Sequence, residues 1–436
     1  MAVYGLSKKA VVKAFKERRL SVAVYGLGRM GLPIAAVIAD KGANVTGVDI
    51  NRRVVSSINS GVCHIPNEPG LKQMVERNVK AGRLQAAEGK AKADISIIIV
   101  PTEVEDNKPD MRAVAWAAQH IAQVLEKGNI VVTESTMPPG ETERLIPILE
   151  KSGLRCGIDF GLAHCPERTM SGTALRDLTA AYPKIIGGFD NATKEALEGF
   201  YSVVNCVGII PMSSIRAAEC VKVFEGIYRD TNIALANELS LVCEKNKVDA
   251  LEVFKAANSQ PYCSILEPGI GVGGHCLPYY PYFVMDAKTK LIKTARAVND
   301  SMPLHGVELL KEMLGSLDGK TVVVLGISYR PSIGEIRHTP AKPLVEKLAS
   351  EKATVLVNDP VFTKEVIRKD GYTPIRIDEI EHIDGMVLVT YHPEYKTLDF
   401  SRLKKKGLAA VVDGRNALDG EFIKKLGIRY RGFGRR

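Results

Sequence analysis

No stretch of this 436-residue sequence is apolar for long enough to cross a bilayer as a helix, which takes about 20 such residues. Apolar runs such as Ile95–Pro101 are strand-sized. The N-terminal MAVYGLSKKAVVKAFKERRL has neither a continuous apolar segment nor a small-residue cleavage site, so it does not read as a secretory signal. It reads as a short, solvated basic helix leading into the first strand. The eight cysteines include no Cys-x-x-Cys pair. Scattered thiols in a chain this large imply a reduced cytoplasmic protein rather than a disulfide framework or a zinc site. Nucleic-acid signatures of the RNP or helix-turn-helix kind are also missing. The net charge is +9, but only RYRGFGRR is locally rich in arginine. Such a diffuse excess suits small anionic ligands better than a nucleic acid.

What is present is an ordinary soluble composition, 45% hydrophobic and 25% charged, in a chain long enough for two or three domains. SVAVYG (21–26), NVTGVDI (44–50), DISIIIVP (94–101) and NIVVTES (129–135) alternate with helix-like stretches. Continuous apolar runs of this length are strands covered on both faces, and the alternation predicts a parallel, doubly wound α/β sheet. KIIGGFD and CVGIIP continue it to Pro211. From Ser213 to about Lys245 there is no proline and the only glycine is Gly226. Apolar residues recur there at helical spacing, so one long helix is predicted, capped by Ser213 or Ser214. Helical pieces follow to Leu317. TVVVLGISY, TVLVNDP, GMVLVTY and AAVVDG then open a second unit of the first type.

Gly26-Leu27-Gly28-Arg29-Met30-Gly31 follows a strand and opens a helix, and Asp49 ends the next strand 18 residues after Gly31. A GxGxxG alone is a weak signal, but here strand, helix and acid agree on a dinucleotide site. Its glycines admit the pyrophosphate, and the helix N-terminus supplies donors. Asp49 accepts from the ribose 2′-hydroxyl and repels a 2′-phosphate, which favours NAD. Arg29, Met30 and Arg53 are further candidates on the cofactor side.

Gly269-Ile270-Gly271-Val272-Gly273-Gly274-His275-Cys276 places four glycines in six positions, followed by a histidine and a cysteine. The glycines predict a bare, flexible backbone able to wrap a ligand. A structural cysteine sits among apolar neighbours. This one adjoins a polar loop and is read as a nucleophile.

Through these and further stretches the sequence resembles the UDP-glucose/UDP-N-acetylhexosamine 6-dehydrogenase family over nearly its whole length. YGLGRMGLP, VDINRRVVSSINSG, VPTEVEDNKPD, ESTMPPGETE, CPERTMSG, GVGGHC and YRPSIGEIRHTP occur in the family's order. The resemblance implies two Rossmann-like domains joined by a long central helix. On that basis we expect an NAD-binding domain (1–211), a central helical domain with a dimerisation helix (212–317) and a UDP-sugar-binding domain (318–436). It also implies a homodimer and four-electron oxidation of a sugar C6 alcohol to a carboxylate, with two NAD per sugar. In that chemistry Cys276 captures the aldehyde as a thiohemiacetal, and the derived thioester is hydrolysed. A lowered thiol pKa, supplied by a nearby cation, makes such a nucleophile effective.

The family pattern assigns Lys222 to oxyanion stabilisation and proton movement, although a helix lysine is ordinarily a solvated charge. It places Thr136 near the reacting carbon and the cofactor, and gives Glu167 acid/base or water-orienting work. Thr102 and Arg337 fall on the cofactor side. Arg168, Arg229, Gly271, Gly273, Gly274, Tyr329 and Arg330 fall on the substrate side. Two positions depart from the pattern: Tyr280 replaces an aspartate four residues after the cysteine, and Gly226 replaces an asparagine one turn after the lysine. A helix-interior glycine costs about 1 kcal/mol relative to alanine, so Gly226 implies that space is needed there. His275 is read as a loop residue, because adjacent residues rarely direct both side chains to one point, and Cys165 as structural.

CPERTMSG and YRDTNIALANELS resemble the N-acetylhexosamine branch of the family more than the UDP-glucose branch, and PGIGVGGHC leans toward UDP-N-acetylmannosamine, ranked ahead of UDP-N-acetylglucosamine and UDP-glucose. A two-electron hydroxyacid-type dehydrogenase would use the dinucleotide site without Cys276, and a nucleotide-sugar binder would show no turnover.

Overall fold

The computed structural model describes residues 1–435. They form two compact units, residues 1–225 with 282–284, and residues 226–281 with those from 285 onward. Among the described residues no helix is long and apolar enough to cross a membrane.

The first unit is an eight-stranded sheet. Its strands are β1 (Ser21–Tyr25), β2 (Asn44–Val48), β3 (Leu84–Ala87), β4 (Ile95–Ile98), β7 (Ile130–Thr133), β8 (Gly161–His164), β9 (Lys184–Gly188) and β10 (Ile209–Pro211), in the spatial order β10-β9-β8-β7-β4-β1-β2-β3. A small hairpin of β5 (Glu103–Glu105) and β6 (Lys108–Asp110) stands apart. Alternate residues of one strand feed opposite cores. Val22, Val24, Ile95, Ile97, Ile130 and Val132 join one cluster with the helix Gly31–Asp40. Ala23, Tyr25, Ile98 and Val131 join another with the helix Arg112–Ala122. Period-two side-chain direction with apolar residues on both faces produces the doubly wound layer. The sheet is not wholly parallel, because β9 runs antiparallel to β8. KIIGG is buried at every position, and a run covered on both faces looks the same in either direction.

The leading helix Lys8–Lys16 is only half solvated. Val11, Ala14 and Phe15 are buried, and Phe15 packs on Phe200 of the helix Asn191–Val204 at 5.6 Å. Its apolar face is thus committed to the first unit.

The long helix runs Ile215–Asn246, 32 residues, or about 48 Å. Of the two candidate caps, Ser214 serves: its Oγ accepts from Ala217 N at 3.2 Å.

In the second unit β11 (Thr321–Leu325), β12 (Thr354–Asn358), β13 (Gly385–Leu388), β14 (Ala410–Asp413) and β15 (Arg429–Gly432) form a parallel sheet ordered β12-β11-β13-β14-β15. Again Val322 and Val324 face one core while Val323 and Leu325 face the other. The helix Lys290–Leu314 covers the first of these. A buried polar network fastens it to the long helix. Arg296 Nη1 donates to Asp230 Oδ1, Asn299 donates to Asp230 and Asn237 donates to Asn299. Asn237 Oδ1 then accepts from Gly269 N at 2.9 Å, which fixes where the glycine loop begins.

Candidate functional site

In the first unit the candidate residues gather because they follow strand ends. Gly26 follows β1, Asp49 β2, Thr102 β4, Thr136 β7 and Glu167 β8. Ligands of open α/β sheets bind at the carboxyl ends of strands, where the order reverses. Here β1 lies between β2 and β4. The three glycines have distinct surroundings. Gly26 turns at φ +95°, and a Cβ there would stand 2.5 Å from Ile99 O. At Gly31 a Cβ would collide with the Gly26 carbonyl, so this glycine lets the helix pack on the turn. At Gly28 nothing lies within 4 Å, leaving the backbone open to a phosphate. The helix Gly31–Asp40 has no side chain capping its start, so its N-terminal dipole faces the same opening. Asp49 is set by backbone: Oδ2 accepts from Leu27 N at 2.9 Å and Oδ1 from Asn51 N at 2.8 Å. These features fit an NAD pyrophosphate and ribose. Around them, Met30 Sδ accepts from Thr169 Oγ1 at 3.0 Å, Arg29 and Thr102 are half-buried, and Arg53 is exposed.

Glu167 is buried and fully engaged. Oε1 accepts from the amides of Arg168 and Thr169 at 2.7 and 2.9 Å, and Oε2 from Lys184 Nζ at 3.1 Å. Lys184 also reaches Glu134 at 3.2 Å, and Tyr201 donates to Glu134. Burial pushes the Glu134 carboxyl up. Lys184 and the loop amides outweigh burial at Glu167 and hold it below the usual carboxylate range. Lys222 adds to that lowering. Burial, then Lys222 and Lys184, push His164 down to about 3, so it is neutral. The structure thus brings Lys222, Glu167 and His164 into one electrostatic neighbourhood. Sequence reasoning missed Lys184 and also Glu219, whose carboxylate accepts from Thr142 N at 2.8 Å and from Gly140 N. That contact docks the helix, one turn before Lys222, on the loop that carries Thr136. Arg168 is taken up by Glu225 at 2.7 Å and Pro183 O at 2.6 Å. Arg229 is exposed.

In the second unit the glycine loop is clamped by its own chain rather than left bare. Cβ atoms at Gly271, Gly273 and Gly274 would press on Pro340 at 3.2 Å, His338 O at 2.9 Å and the Tyr329 ring at 2.8 Å. Gly274 N donates to Arg337 O at 3.2 Å. The small residues let the loop lie against the segment that bears Tyr329, Arg330 and Arg337. Tyr329 is half-buried, and Arg330 and Arg337 are exposed. Arg415, also missed in the sequence, links this loop to the sheet: its Nε donates to Val389 O at 2.7 Å and Nη1 to Gly271 O at 3.4 Å. The only local signal is an arginine directly after a strand ending in Asp-Gly. Asp359 mirrors Asp49, accepting from Ile327 N at 2.8 Å, but it is sealed by Ser328 and His392 at 3.1 and 3.2 Å.

Cys276 is exposed and Cys165 fully buried. Burial raises the thiols of Cys63, Cys156, Cys165, Cys220 and Cys243. His275 is tied to the neighbouring segment: its Nδ1 lies 3.2 Å from Glu335 Oε1. Residues 274–276 form a bend. Gly226 and Tyr280 also meet, since the Tyr280 ring fills the space where a side chain at 226 would lie.

Three models of the UDP-glucose/GDP-mannose dehydrogenase family match the sequence. The NAD binding domain matches residues 20–205, the central domain 216–301 and the UDP binding domain 323–420. A UDP-N-acetyl-D-mannosamine dehydrogenase of Campylobacter jejuni is 38% identical over 86% of this chain and 96% of its own. An NDP-N-acetyl-D-galactosaminuronic acid dehydrogenase of Ralstonia nicotianae is 36% identical over 91% and 95%. The solved UDP-D-ManNAc dehydrogenase of Pyrococcus horikoshii superposes with a TM-score of 0.88 at 34% identity, covering 95% and 99%.

Proposed function

We propose that this chain, which belongs to the UDP-glucose/GDP-mannose dehydrogenase family and is an NAD-dependent UDP-sugar dehydrogenase, oxidises UDP-N-acetylmannosamine to UDP-N-acetylmannosaminuronate through Cys276. The sugar assignment rests on similarity to the mannosamine enzymes of Campylobacter and Pyrococcus. UDP-N-acetylglucosamine and UDP-glucose are the next candidates, and the Ralstonia relative adds an N-acetylgalactosamine-type sugar. The observation that carries the mechanism is the exposed Cys276 thiol at the end of the glycine loop.

Bound NAD supplies the hydride acceptor for each of two oxidations. Cys276 adds to the C6 aldehyde as a thiolate, giving a thiohemiacetal. Loss of the second hydride gives a thioester, and water releases the carboxylate. Lys222 stabilises the oxyanions, and Thr136 aligns the C6 hydroxyl and water. With both oxygens engaged, Glu167 suits the water-orienting task rather than proton exchange. Gly28 and Asp49 hold the pyrophosphate and ribose, with Arg29, Met30, Arg53, Thr102 and Arg337 completing that side. Tyr329, Arg330 and Arg229 serve the sugar nucleotide.

We also infer a homodimer. Phe224, Tyr228, Leu235 and Val242 on the long helix are 49–60% exposed, and the last three fall seven residues apart, the repeat of a helix–helix seam. Eight cysteines without a disulfide suit the cytoplasm.

The test is a panel of UDP-sugars with NADH counted per sugar and the product weighed by mass spectrometry. Two NADH and a uronic acid from UDP-N-acetylmannosamine are expected. One NADH per sugar, or normal uronic acid production by Cys276→Ser, rejects the thioester route.

A further inference from the structure

We propose that His392 is a positioning residue for the nucleotide-binding turn 330–333, its Nδ1 holding the Ser332 amide while Ser328 and Asp359 lock its Nε2. The inference rests on the reading that Tyr329 and Arg330 serve the sugar nucleotide, and it names what gives that segment its shape.

The turn does not hold itself. Arg330-Pro331-Ser332-Ile333 has proline in second place and a left-handed residue in third, with Ser332 at φ +59°. Ile333 N donates to Arg330 O at 3.4 Å. That is the pattern of a type II turn, whose third position favours glycine. A serine stays in that region only where its surroundings fix it. The fixing contact is Ser332 N donating to His392 Nδ1 at 3.3 Å. On the other side of Arg330, Tyr329 N donates to Glu335 O at 3.1 Å. Arg330 is therefore exposed but carried on a backbone anchored to either side of it.

The ring that holds the turn is set by three strand ends. Ser328 follows β11, Asp359 follows β12 and His392 follows β13. β11 lies between the other two, and ligands of open α/β sheets bind beyond such carboxyl ends. The side chains of His392 and Asp359 are fully buried. Because Nδ1 accepts from an amide, the ring proton is on Nε2. Nε2 lies 2.8 Å from Ser328 Oγ and 3.2 Å from Asp359 Oδ2, and Ser328 Oγ donates to the same Oδ2 at 3.1 Å. Asp359 Oδ2 also accepts from the amides of Ile327 and Ser328 at 2.8 and 3.0 Å, and Oδ1 from that of Val361 at 2.9 Å. Both oxygens of this carboxylate are committed within the chain, so it anchors the ring. Tyr395 braces another side: its ring stands edge-on to His392 at 5.6 Å, and its hydroxyl donates to Asn358 O at 2.8 Å. A ring locked at one nitrogen presents the other in a single direction, and that direction fixes the exposed turn.

The two nitrogens can be tested apart, with the full-length protein and UDP as the probe. An asparagine side chain reproduces the acceptor at Nδ1, and a glutamine side chain reproduces the donor at Nε2. By calorimetry, His392→Gln, which leaves the Ser332 amide without its acceptor, should weaken UDP binding about tenfold, whereas His392→Asn should stay within about twofold of the wild type. NAD titration is the control, because the NAD binding domain lies in the first unit, and its affinity should not change. Wild-type UDP affinity in His392→Gln, equal weakening in both variants, or a parallel fall in NAD affinity overturns the proposal. Hydrogen exchange on the wild type needs no variant to fold. The Ser332 amide, on an exposed residue, should be protected, and exchange at the rate of an open chain overturns the proposal as well. Arg330→Ala separates this inference from the reading beneath it. Weak UDP binding in Arg330→Ala with normal binding in His392→Gln keeps Arg330 and rejects His392. Weak binding in His392→Gln, rescued by His392→Asn, with normal binding in Arg330→Ala keeps His392 and rejects the role given to Arg330.

Discussion

The ring of Tyr280 occupies the space that a side chain at Gly226 would need: a Cβ there would collide with Cδ2 and stand 2.7 Å from Cε2. Both residues depart from the family pattern, an aspartate at one position and an asparagine at the other, and the departures fit each other. The missing side chain on the helix makes room for the aromatic that the loop presents.

Gly226→Ala is therefore expected to destabilise. Alanine gains about 1 kcal/mol in a helix, but Tyr280 is buried at 7% exposure, and overpacking costs about 1–3 kcal/mol. The cost exceeds the gain while the ring is present. In the Tyr280→Ala background the same change should be neutral or stabilising. Urea denaturation of the four proteins checks this; additive effects, with a coupling below about 0.5 kcal/mol, would show that the ring does not set the requirement for glycine.

The three motif glycines should separate in their effects. Gly28→Ala meets no atom within 4 Å, so the melting temperature should hold while the KM for NAD rises at least about tenfold, or about 1.4 kcal/mol. Gly31→Ala collides with the Gly26 carbonyl and should lower the melting temperature itself. Calorimetry and NAD titration on the two variants distinguish a ligand cradle from a mere tight turn.

Lys184→Met should be among the more damaging changes in the first unit. It leaves Glu167 and Glu134 buried without their shared cation, and breaking such a group costs about 3–5 kcal/mol. The pH dependence has a definite sign. Glu167 is lowered from its ordinary 4.5, so its contribution is present above that value and lost as pH falls through the folded-state value. The deficit of the variant should accordingly be largest near neutrality and shrink in acid. Denaturation followed at several pH values gives the answer, and a deficit that grows in acid would contradict it.

Leu235→Glu tests the dimer. Leu235 is 49% exposed at the middle of the heptad-spaced row, and a charge there would be desolvated in a helix–helix seam. Sedimentation should show a dimer for the wild type and a monomer for the variant, with the variant's melting temperature becoming independent of protein concentration. A variant that still sediments as a dimer places the interface elsewhere.

What could be read directly from the sequence was local. Strands covered on both faces, the long helix and the GxGxxG turn each declare themselves within a few residues, because side-chain direction repeats every two or 3.6 positions and glycine alone fits certain turns. The order of the family's motifs, Cys276 among them, was equally legible.

Tertiary structure alone decided the relationships between distant residues. No periodicity shows that β9 reverses against β8, that Lys184 lies between Glu134 and Glu167, or that Arg415 reaches Gly271 O. Each depends on the path of the chain between the partners. His275 and Glu335 give the sharpest case: far apart in the chain, their Nδ1 and Oε1 atoms stand 3.2 Å apart. The sequence determined which residues are candidates for the chemistry, since that is a matter of side-chain type and spacing. The fold decided which of them share a charge or a space, because that is set by where the backbone turns.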